Sequence, residues 1–233
     1  FFGWTHANMM GLDFLLLAMD IMYLRKECKK WYDCILYAVF IIFLDKTANS
    51  RTAEAIIAML IVIHLLSIIM QRNWFHKMMV LFTSGAFLLC VGIPFIGSYL
   101  YIHKPELFLQ HDGTMLSRIQ LTTTFYLRNG GFGFYGFPIE DQDCLDMMFS
   151  YIGLHWGTAA FIIISAAIIY AIYKASREQH TSFLILLFFF LVYGWAEVAP
   201  IYPVYSYLSL LLGYYIMNRK PFYCKRPYTC ANF

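Results

Sequence analysis

The chain has 233 residues, of which 61% are hydrophobic and 13% are charged, and its formal net charge is +3. Soluble domains are about 45–50% apolar and about 25% charged, so this composition excludes a water-soluble fold with an ordinary polar surface. It predicts an all-α, polytopic transmembrane helix bundle whose apolar excess faces lipid. No run of Lys and Arg is interleaved with aromatic residues in a polar segment, which argues against nucleic acid as a partner.

Hydropathy predicts about seven membrane spans, each near the roughly 20 apolar residues that a helix needs to cross the hydrocarbon layer. Four spans fall within residues 1–102, an external loop occupies 103–146, three spans fall within 147–217, and 218–233 form a cytoplasmic tail. The predicted spans cover residues 7–24, 31–44, 52–70, 78–102, 147–173, 181–198 and 200–217.

The distribution of Lys and Arg predicts the orientation of these spans. Twelve basic residues fall in one set of alternate loops and five in the other. Cytoplasmic loops carry the excess of basic residues in membrane proteins. Residue 1 and the loop 103–146 are therefore predicted to lie on the non-cytoplasmic side.

The external loop is the extended polar stretch of the chain. Residues 114–126 are predicted to form a short amphipathic helix on the membrane surface, with Met115, Ile119, Thr122 and Tyr126 on one face. Residues 129–138 include four glycines and a proline, which exclude a helix there. An acidic run follows directly before the fifth span: Glu140, Asp141, Asp143 and Asp146.

The six cysteines predict neither a disulfide framework nor a metal site. The pairs Cys28/Cys34 and Cys224/Cys230 each have five intervening residues, whereas zinc sites favour about two to four. Both pairs also lie on the predicted cytoplasmic side, where thiols stay reduced. We expect free thiols and no metal or other cofactor.

Charged groups near the external ends of the spans are candidate functional residues, because charges in or beside the hydrocarbon are costly. Arg51 opens the third span, Arg118 lies on the amphipathic helix, and Glu197 lies near the external end of the sixth span. His6 precedes the first span on the same side. Two arginines could hold an anionic ligand while a nearby carboxylate handles a proton.

Each of these residues also has a structural interpretation. Arg51 could serve only as an interfacial anchor, and Arg118 could pair with an acidic residue of its own loop. His64, in the middle of the third span, is interpreted as a satisfied polar group inside the bundle, with a proton relay as the alternative. Inter-helix hydrogen bonds could explain four acidic residues of the spans: Asp13, Asp20, Glu54 and Glu197.

Five short motifs follow one another along nearly the whole chain. They are Phe2-Gly-Trp-Thr-His-Ala-Asn8, Thr47-Ala-Asn-Ser-Arg51-Thr52, Leu116-Ser-Arg118, Phe132-Gly-Phe-Tyr-Gly136 and Cys144-Leu-Asp146-Met-Met-Phe-Ser-Tyr151-Ile-Gly153. Together with Glu197 they resemble the O-antigen polymerase and O-antigen ligase superfamily, which includes bacterial capsule and exopolysaccharide polymerases. The chain departs from the family pattern at Ala7, where proline is usual, and at Met147, where asparagine is common.

The resemblance implies a metal-independent glycosyltransferase that polymerises or transfers polyprenyl-diphosphate-linked oligosaccharides at the outer face of the bacterial cytoplasmic membrane. The implied partners are that lipid-linked oligosaccharide, membrane lipid and, in the same pathway, a flippase and a chain-length regulator. Family members usually have ten or more spans, so the chain is expected to be a C-terminal portion. The implied site comprises Arg51 and Arg118 for the diphosphate, Asp146, His6 and Glu197 for proton transfer, and Asn8, Ser50 and Tyr151 as secondary residues.

The main alternative is a membrane transporter or lipid flippase. Intramembrane groups such as Asp20, Glu54 and His64 could line a pathway. The notable residues nevertheless gather on one face, and the sequence lacks a repeated pattern of interrupted spans, which favours the glycosyltransferase. A membrane scaffold without catalytic activity is a third interpretation.

Overall fold

The computed structural model describes residues 7–24, 30–47, 50–108, 114–139, 145–196 and 208–217. Within these ranges the chain is helical and contains no strand, which confirms the all-α class. The helices are α1 Ala7–Leu24, α2 Asp33–Thr47, α3 Arg51–Ile69, α4 Arg72–His103, α5 Thr114–Arg128, α6 Met148–Tyr151, α7 Thr158–Arg177, α8 Thr181–Ala196 and α9 Leu208–Met217. A 3₁₀ turn at Pro105–Leu107 follows α4, and a π-helical turn at Ile152–Trp156 follows α6.

Three described helices are long and apolar enough to cross a membrane: α3, α4 and α7. The apolar stretch Thr181–Trp195 of α8 is shorter. These helices are compatible with a membrane protein, whereas the count of seven spans and the orientation remain predictions. The last predicted span, 200–217, is described only over Leu208–Met217.

The outward faces of the long helices are apolar. On α4, Leu81, Leu88 and Ile96 are 69%, 68% and 61% exposed, and they recur at helical spacing along one face. On α7, Ile162 and Ile163 are exposed in the same way. In water, exposing such a face would cost roughly 25 cal/mol of free energy for each Å² of apolar surface. An apolar surround removes this cost, as expected for helices in lipid.

The opposite face of α4 carries buried polar residues at intervals of seven, and it packs against α8. His76 Nδ1 lies 2.8 Å from Thr181 Oγ1. Thr83 donates a hydrogen bond of 3.1 Å to the carbonyl of Leu184, and Cys90 Sγ lies 3.4 Å from the carbonyl of Leu191. Interhelical hydrogen bonds of this kind fix helix pairs in a medium where apolar burial provides no driving force.

The fourth helix begins earlier than predicted. The sequence predicted a span from residue 78, but α4 begins at Arg72 and contains 32 residues. Hydropathy detects only the apolar part of a helix, and Arg72, Asn73 and Lys77 mask the first turns. The helix can include these residues because polar side chains in its first turns can remain in water.

The predicted fifth span, 147–173, is not one continuous helix, and this prediction is wrong. The short helix α6 passes into the π turn Ile152–Trp156, and the chain then breaks at Gly157, where φ is 93° and ψ is 170°. Helix α7 begins directly afterwards at Thr158. Residues 152–156 are apolar or aromatic apart from His155, so hydropathy gave no sign of the break.

Candidate functional site

The loop formed by residues 131–139, called the crossing loop below, packs across the break before α7. The N–H of Thr158 donates to the carbonyl of Gly133 at 3.0 Å, and the N–H of Ala159 donates to the carbonyl of Phe134 at 3.4 Å. The N–H of Phe137 donates to the carbonyl of Leu154 at 2.9 Å. The first N–H groups of a helix have no partner within the helix. Residues 131–139 supply these partners for α7, so the loop is part of the helix start.

Two glycines permit this crossing. Gly136 and Gly157 both have positive φ, of 78° and 93°, a conformation that side chains with a Cβ rarely adopt. A Cβ on Gly157 would lie 2.5 Å from the carbonyl carbon of Tyr135, and a Cβ on Gly136 would lie 2.6 Å from the nitrogen of Gly157. The backbones therefore touch at this point, and no other residue type fits without moving one of them.

Arg118 and Asp146 form an ion pair across this assembly. Arg118 Nε on α5 lies 3.4 Å from Asp146 Oδ2, two residues before α6, and the side chains are 14% and 33% exposed. Arg118 therefore pairs with an acidic residue of its own loop, as its structural interpretation expected, while its role in binding a diphosphate stays a prediction. Met147, and not Asp146, occupies the position before the first residue of α6.

A small apolar cluster holds these elements together. Phe125 of α5, Leu145 and Leu154 are buried against one another, and Tyr126, Phe137, Ile139 and Tyr151 pack around them. The cluster fixes α5 on the segment that carries Asp146 and Tyr151. Two motifs that the sequence separates, Leu-Ser-Arg118 and Cys-Leu-Asp146, thus meet in space.

His155, in the π turn, was missed by the sequence analysis. Its Nδ1 lies 2.8 Å from the carbonyl oxygen of Phe137. Because a carbonyl only accepts, Nδ1 carries the proton and Nε2 keeps a lone pair. The ring also contacts Tyr151 edge-on, with 4.7 Å between the centroids. A histidine in this tautomer can accept a proton, and the only sequence signal was its place between two glycines, Gly153 and Gly157, inside an apolar segment.

A cavity of about 220 Å³ lies between α4, α5 and the crossing loop. Ser98, Tyr99 and His103 of α4 line it, together with Thr122 and Tyr126 of α5. The remaining wall is apolar and comprises Phe95, Ile102, Phe132 and Leu154. Thr122 and Tyr126 belong to the face of the amphipathic helix that the sequence singled out.

The other candidate residues of the described chain lie on α1 and α3. Ser50 is 2% exposed and packs against Gly11, where an added Cβ would lie 2.9 Å from Ser50 Cβ. Arg51 is exposed at the first residue of α3 and forms no ion pair within the described ranges. Asn8 lies in the first turn of α1. Arg118 lies on α5, which packs on α4, whereas Arg51 begins α3. No contact between the two arginines is described, so their shared site stays a prediction.

Several predicted residues lie outside the described ranges. His6, Glu197 and the acidic residues Glu140, Asp141 and Asp143 fall there. The cysteine pairs are described only at Cys34, which is a free thiol, as is Cys90. Within the described chain no three His, Cys, Asp or Glu side chains are grouped to hold a metal ion, and the expected absence of a cofactor remains a prediction.

His64 is buried at the contact between α2 and α3. Its Nε2 lies 3.0 Å from the carbonyl of Lys30 and 3.6 Å from Asp33 Oδ2. Asp33 Oδ2 also accepts the N–H of Lys30 at 3.1 Å. One ring nitrogen is thus satisfied, as the sequence predicted, while Nδ1 is buried with no hydrogen-bond partner among the described residues. The pair ties α3 to the start of α2.

The geometry therefore joins Arg118, Asp146, Tyr151 and His155 in one assembly next to a cavity with aromatic and hydroxyl-bearing walls. Comparison of the chain with protein-family models, with curated proteins and with solved structures finds no match to any of them.

Proposed function

We propose that this chain is a multi-pass membrane glycosyltransferase that polymerises or transfers oligosaccharides carried on a polyprenyl diphosphate. The reaction would take place at the outer face of a bacterial cytoplasmic membrane, where the loop 103–146 is predicted to lie. The observation that carries the proposal is the Arg118–Asp146 pair, with its 3.4 Å separation. It sets a cation suited to a diphosphate beside a carboxylate suited to a proton, and Arg118 lies one turn of α5 before Thr122, which lines the cavity.

The chemistry requires both charges. The bond between the anomeric carbon and the diphosphate oxygen breaks, and negative charge builds up on the departing lipid diphosphate. Arg118, with Arg51 as a second candidate, would neutralise that charge through the planar fork of its guanidinium group. The acceptor hydroxyl forms the new bond to the anomeric carbon and loses its proton to a base.

The ion pair suggests how the base is released. Before the donor binds, Arg118 and Asp146 neutralise each other in a mostly buried setting. An arriving diphosphate would compete for the guanidinium group and leave the carboxylate of Asp146 available to the acceptor hydroxyl. His6 and Glu197 remain further candidates for this role, and the lone pair on Nε2 of His155 adds a third.

The break in the fifth span is the observation that favours a transporter. Discontinuous helices in transporters expose their half-helix ends to the substrate or ion. Here the first N–H groups of α7 are instead bonded to the carbonyls of Gly133 and Phe134. These two donors are not available to a substrate, so the break is better explained as a structural joint of the loop assembly.

The proposal is tested by deleting the gene in its own host and restoring it as wild type, Asp146→Asn or Arg118→Lys. Asp146→Asn should lower polymer output by about 10²- to 10⁴-fold, the usual contribution of a general base. Arg118→Lys should also damage polymer formation, since lysine retains the charge but not the two-pronged contact. Polymer length is read on a gel, together with the amount of membrane-inserted protein.

The matched control is Glu106→Gln, since Glu106 is an exposed carboxylate of the same loop. It should leave polymer output unchanged. Loss of the gene should leave single repeat units at the cell surface if the chain is a polymerase, whereas loss of a flippase would remove surface saccharide altogether. Near wild-type output from Asp146→Asn would remove this carboxylate from the mechanism.

A further inference from the structure

We propose that the cavity between α4, α5 and the crossing loop is a binding site for one pyranose ring of a glycoside. This inference rests on the proposed function, because it names the part of the substrate that this cavity would hold. It is carried by the size of the cavity, by two buried hydroxyl groups in its wall and by its aromatic sides.

The size of the cavity fits a single ring. Its volume of about 220 Å³ exceeds the roughly 150 Å³ of a cavity that holds benzene. It is smaller than the roughly 300–1,000 Å³ of pockets for drug-sized ligands. One six-membered ring with its substituents lies between these limits, whereas a disaccharide would have to extend out of the cavity.

Two hydroxyl groups in the wall have no hydrogen-bond partner within the described chain. They belong to Ser98 on α4 and Thr122 on α5, and both oxygens are buried. The neighbouring threonines of α5 behave differently, since Thr123 donates to the carbonyl of Ile119 at 2.7 Å and Thr124 to that of Gln120 at 2.9 Å. Thr122, which is 4% exposed, therefore forgoes the local bond that its two neighbours make.

A buried hydroxyl without a partner is costly. Among the hydroxyl groups buried without a partner in the described chain, those of Ser98 and Thr122 belong to residues that line the cavity, so a polar ligand there would satisfy them. Both residues line the cavity, and rotation about χ1 moves a hydroxyl oxygen between staggered positions. Sugar hydroxyls can both donate and accept, and they would satisfy Ser98 and Thr122 whichever way these point. An isoprenoid unit of the same size offers no polar atom and would leave both groups unpaired.

The aromatic walls suit the other feature of a pyranose ring, its faces of C–H groups. Phe95 and Phe132 lie with their ring centroids 5.3 Å apart, and Tyr126 contacts Phe132 at 5.1 Å. Aromatic faces bury such apolar patches, while a hydroxyl on the ring can remain hydrogen-bonded at the edge. A wall that mixes aromatic rings with hydroxyl groups thus matches a sugar better than it matches a hydrocarbon.

The cavity lies close to the proposed diphosphate site. Thr122 follows Arg118 by one turn of α5, which corresponds to about 6 Å along the helix axis. This distance is on the order of one sugar unit, so a ring in the cavity can be linked to a diphosphate held at Arg118. The sugar next to the diphosphate is therefore the ring that we assign to the cavity.

Ligand-detected NMR on the purified full chain tests this assignment. The probes are the methyl glycosides of glucose, galactose, mannose and N-acetylglucosamine, with geraniol as the isoprenoid probe. The protein is held in lipid nanodiscs, because detergents with sugar headgroups would compete for the site. At least one glycoside should bind saturably, and no binding by any of the four, or binding by geraniol alone, overturns the proposal.

Thr122→Val and Thr123→Val form the matched pair of variants. Thr122→Val should weaken glycoside binding by about 2- to 12-fold, the effect of one lost hydrogen bond. It should not lower the melting temperature, since its hydroxyl has no partner to lose within the described chain. Thr123→Val should leave binding unchanged, because that hydroxyl is bonded within α5.

Equal binding by wild type and Thr122→Val, with Ser98→Ala also unchanged, would show that the glycoside lies elsewhere. No transfer reaction takes place in this measurement. A failure of the glycosyltransferase proposal appears in the polymer assay and not here, so the two failures can be told apart.

Discussion

The two ends of α4 handle buried polar groups in opposite ways. Where α4 packs along α8, three buried polar side chains of α4 have partners: His76, Thr83 and Cys90. Where α4 meets α5, the hydroxyl groups of Ser98 and Thr122 are buried with no hydrogen-bond partner in the described chain. A folded chain that only needed stability would treat both ends alike, because unpaired buried polar groups are costly.

The difference separates packing from function. The partnered end is explained by helix association alone, since its hydrogen bonds lie within the protein. The unpartnered end borders a cavity, and Thr122 lies one helical turn from Arg118, so a ligand can supply what the fold omits. Three experiments can break or sharpen this distinction.

The largest effect is expected in an experiment that tests on which side of the membrane each end of α4 lies. In a cysteine-free background, Gln120→Cys should react with an impermeant thiol reagent in intact cells, and Asn73→Cys should react only after permeabilisation. Both positions are exposed, and the excess of basic residues predicts that the start of α4 lies inside. The measurement is the labelled fraction at each position, which should be all or none.

The reverse pattern would put the cavity in the cytoplasm and end the assignment of an extracytoplasmic glycosyl transfer. Prior treatment of each sample with a permeant thiol reagent is the control, since it must abolish labelling at both positions.

A smaller effect is expected where the loop crosses the break. Gly157→Ala should destabilise the protein by more than about 3 kcal/mol, because it combines a strained positive φ with a backbone collision. Gly130 also has a positive φ, of 71°, but has open space around it. Gly130→Ala should therefore cost only about 1–2 kcal/mol, as measured by thermal melting in the same nanodiscs.

Equal melting temperatures for these two variants would mean that the crossing does not constrain the fold. The cavity would then have a movable wall, and its fit to a single ring would lose its basis.

The smallest effect compares one hydroxyl group from each end of α4. Thr83→Val removes a hydroxyl that donates to the carbonyl of Met79 at 2.7 Å and lies 3.1 Å from that of Leu184 on α8, a loss of about 0.6–1.7 kcal/mol for helices in membranes. Thr122→Val removes a hydroxyl with no such bond and should leave the melting temperature unchanged or raised. A drop for Thr122→Val as large as for Thr83→Val would show that both ends are packed alike.

The sequence could predict the features that depend on local pattern. The predicted span 7–24 has the bounds of α1, and α5 covers the predicted segment 114–126 with two further residues. Helix α5 ends at Arg128, and the glycine-rich segment 129–138 is non-helical, with a turn at its first two residues. Such features follow from hydrophobic periodicity and backbone freedom within a few residues.

The sequence could not predict features that depend on distant partners. The break at Gly157 exists because carbonyls more than 20 residues upstream replace the missing hydrogen bonds of α7. His155 gains its defined tautomer from Phe137 in the same way. Hydropathy records the polarity of a segment but not the partner of each backbone group, so neither feature leaves a trace in a window of neighbouring residues.

The length of α4 has a consequence for where a substrate would meet the protein. Its 32 residues make a rod about 48 Å long, against roughly 30 Å of hydrocarbon. Fitting the whole rod would require a tilt of about 50°, beyond the observed range of about 0–40°. If the hydrocarbon begins at Met78, just after Lys77, about 20 residues bring the helix to the far boundary near Gly97. With the predicted orientation, the hydrophobic mismatch would raise the residues from Ser98 to His103 into the hydrated headgroup layer, the depth at which a sugar could arrive while its lipid stays in the membrane.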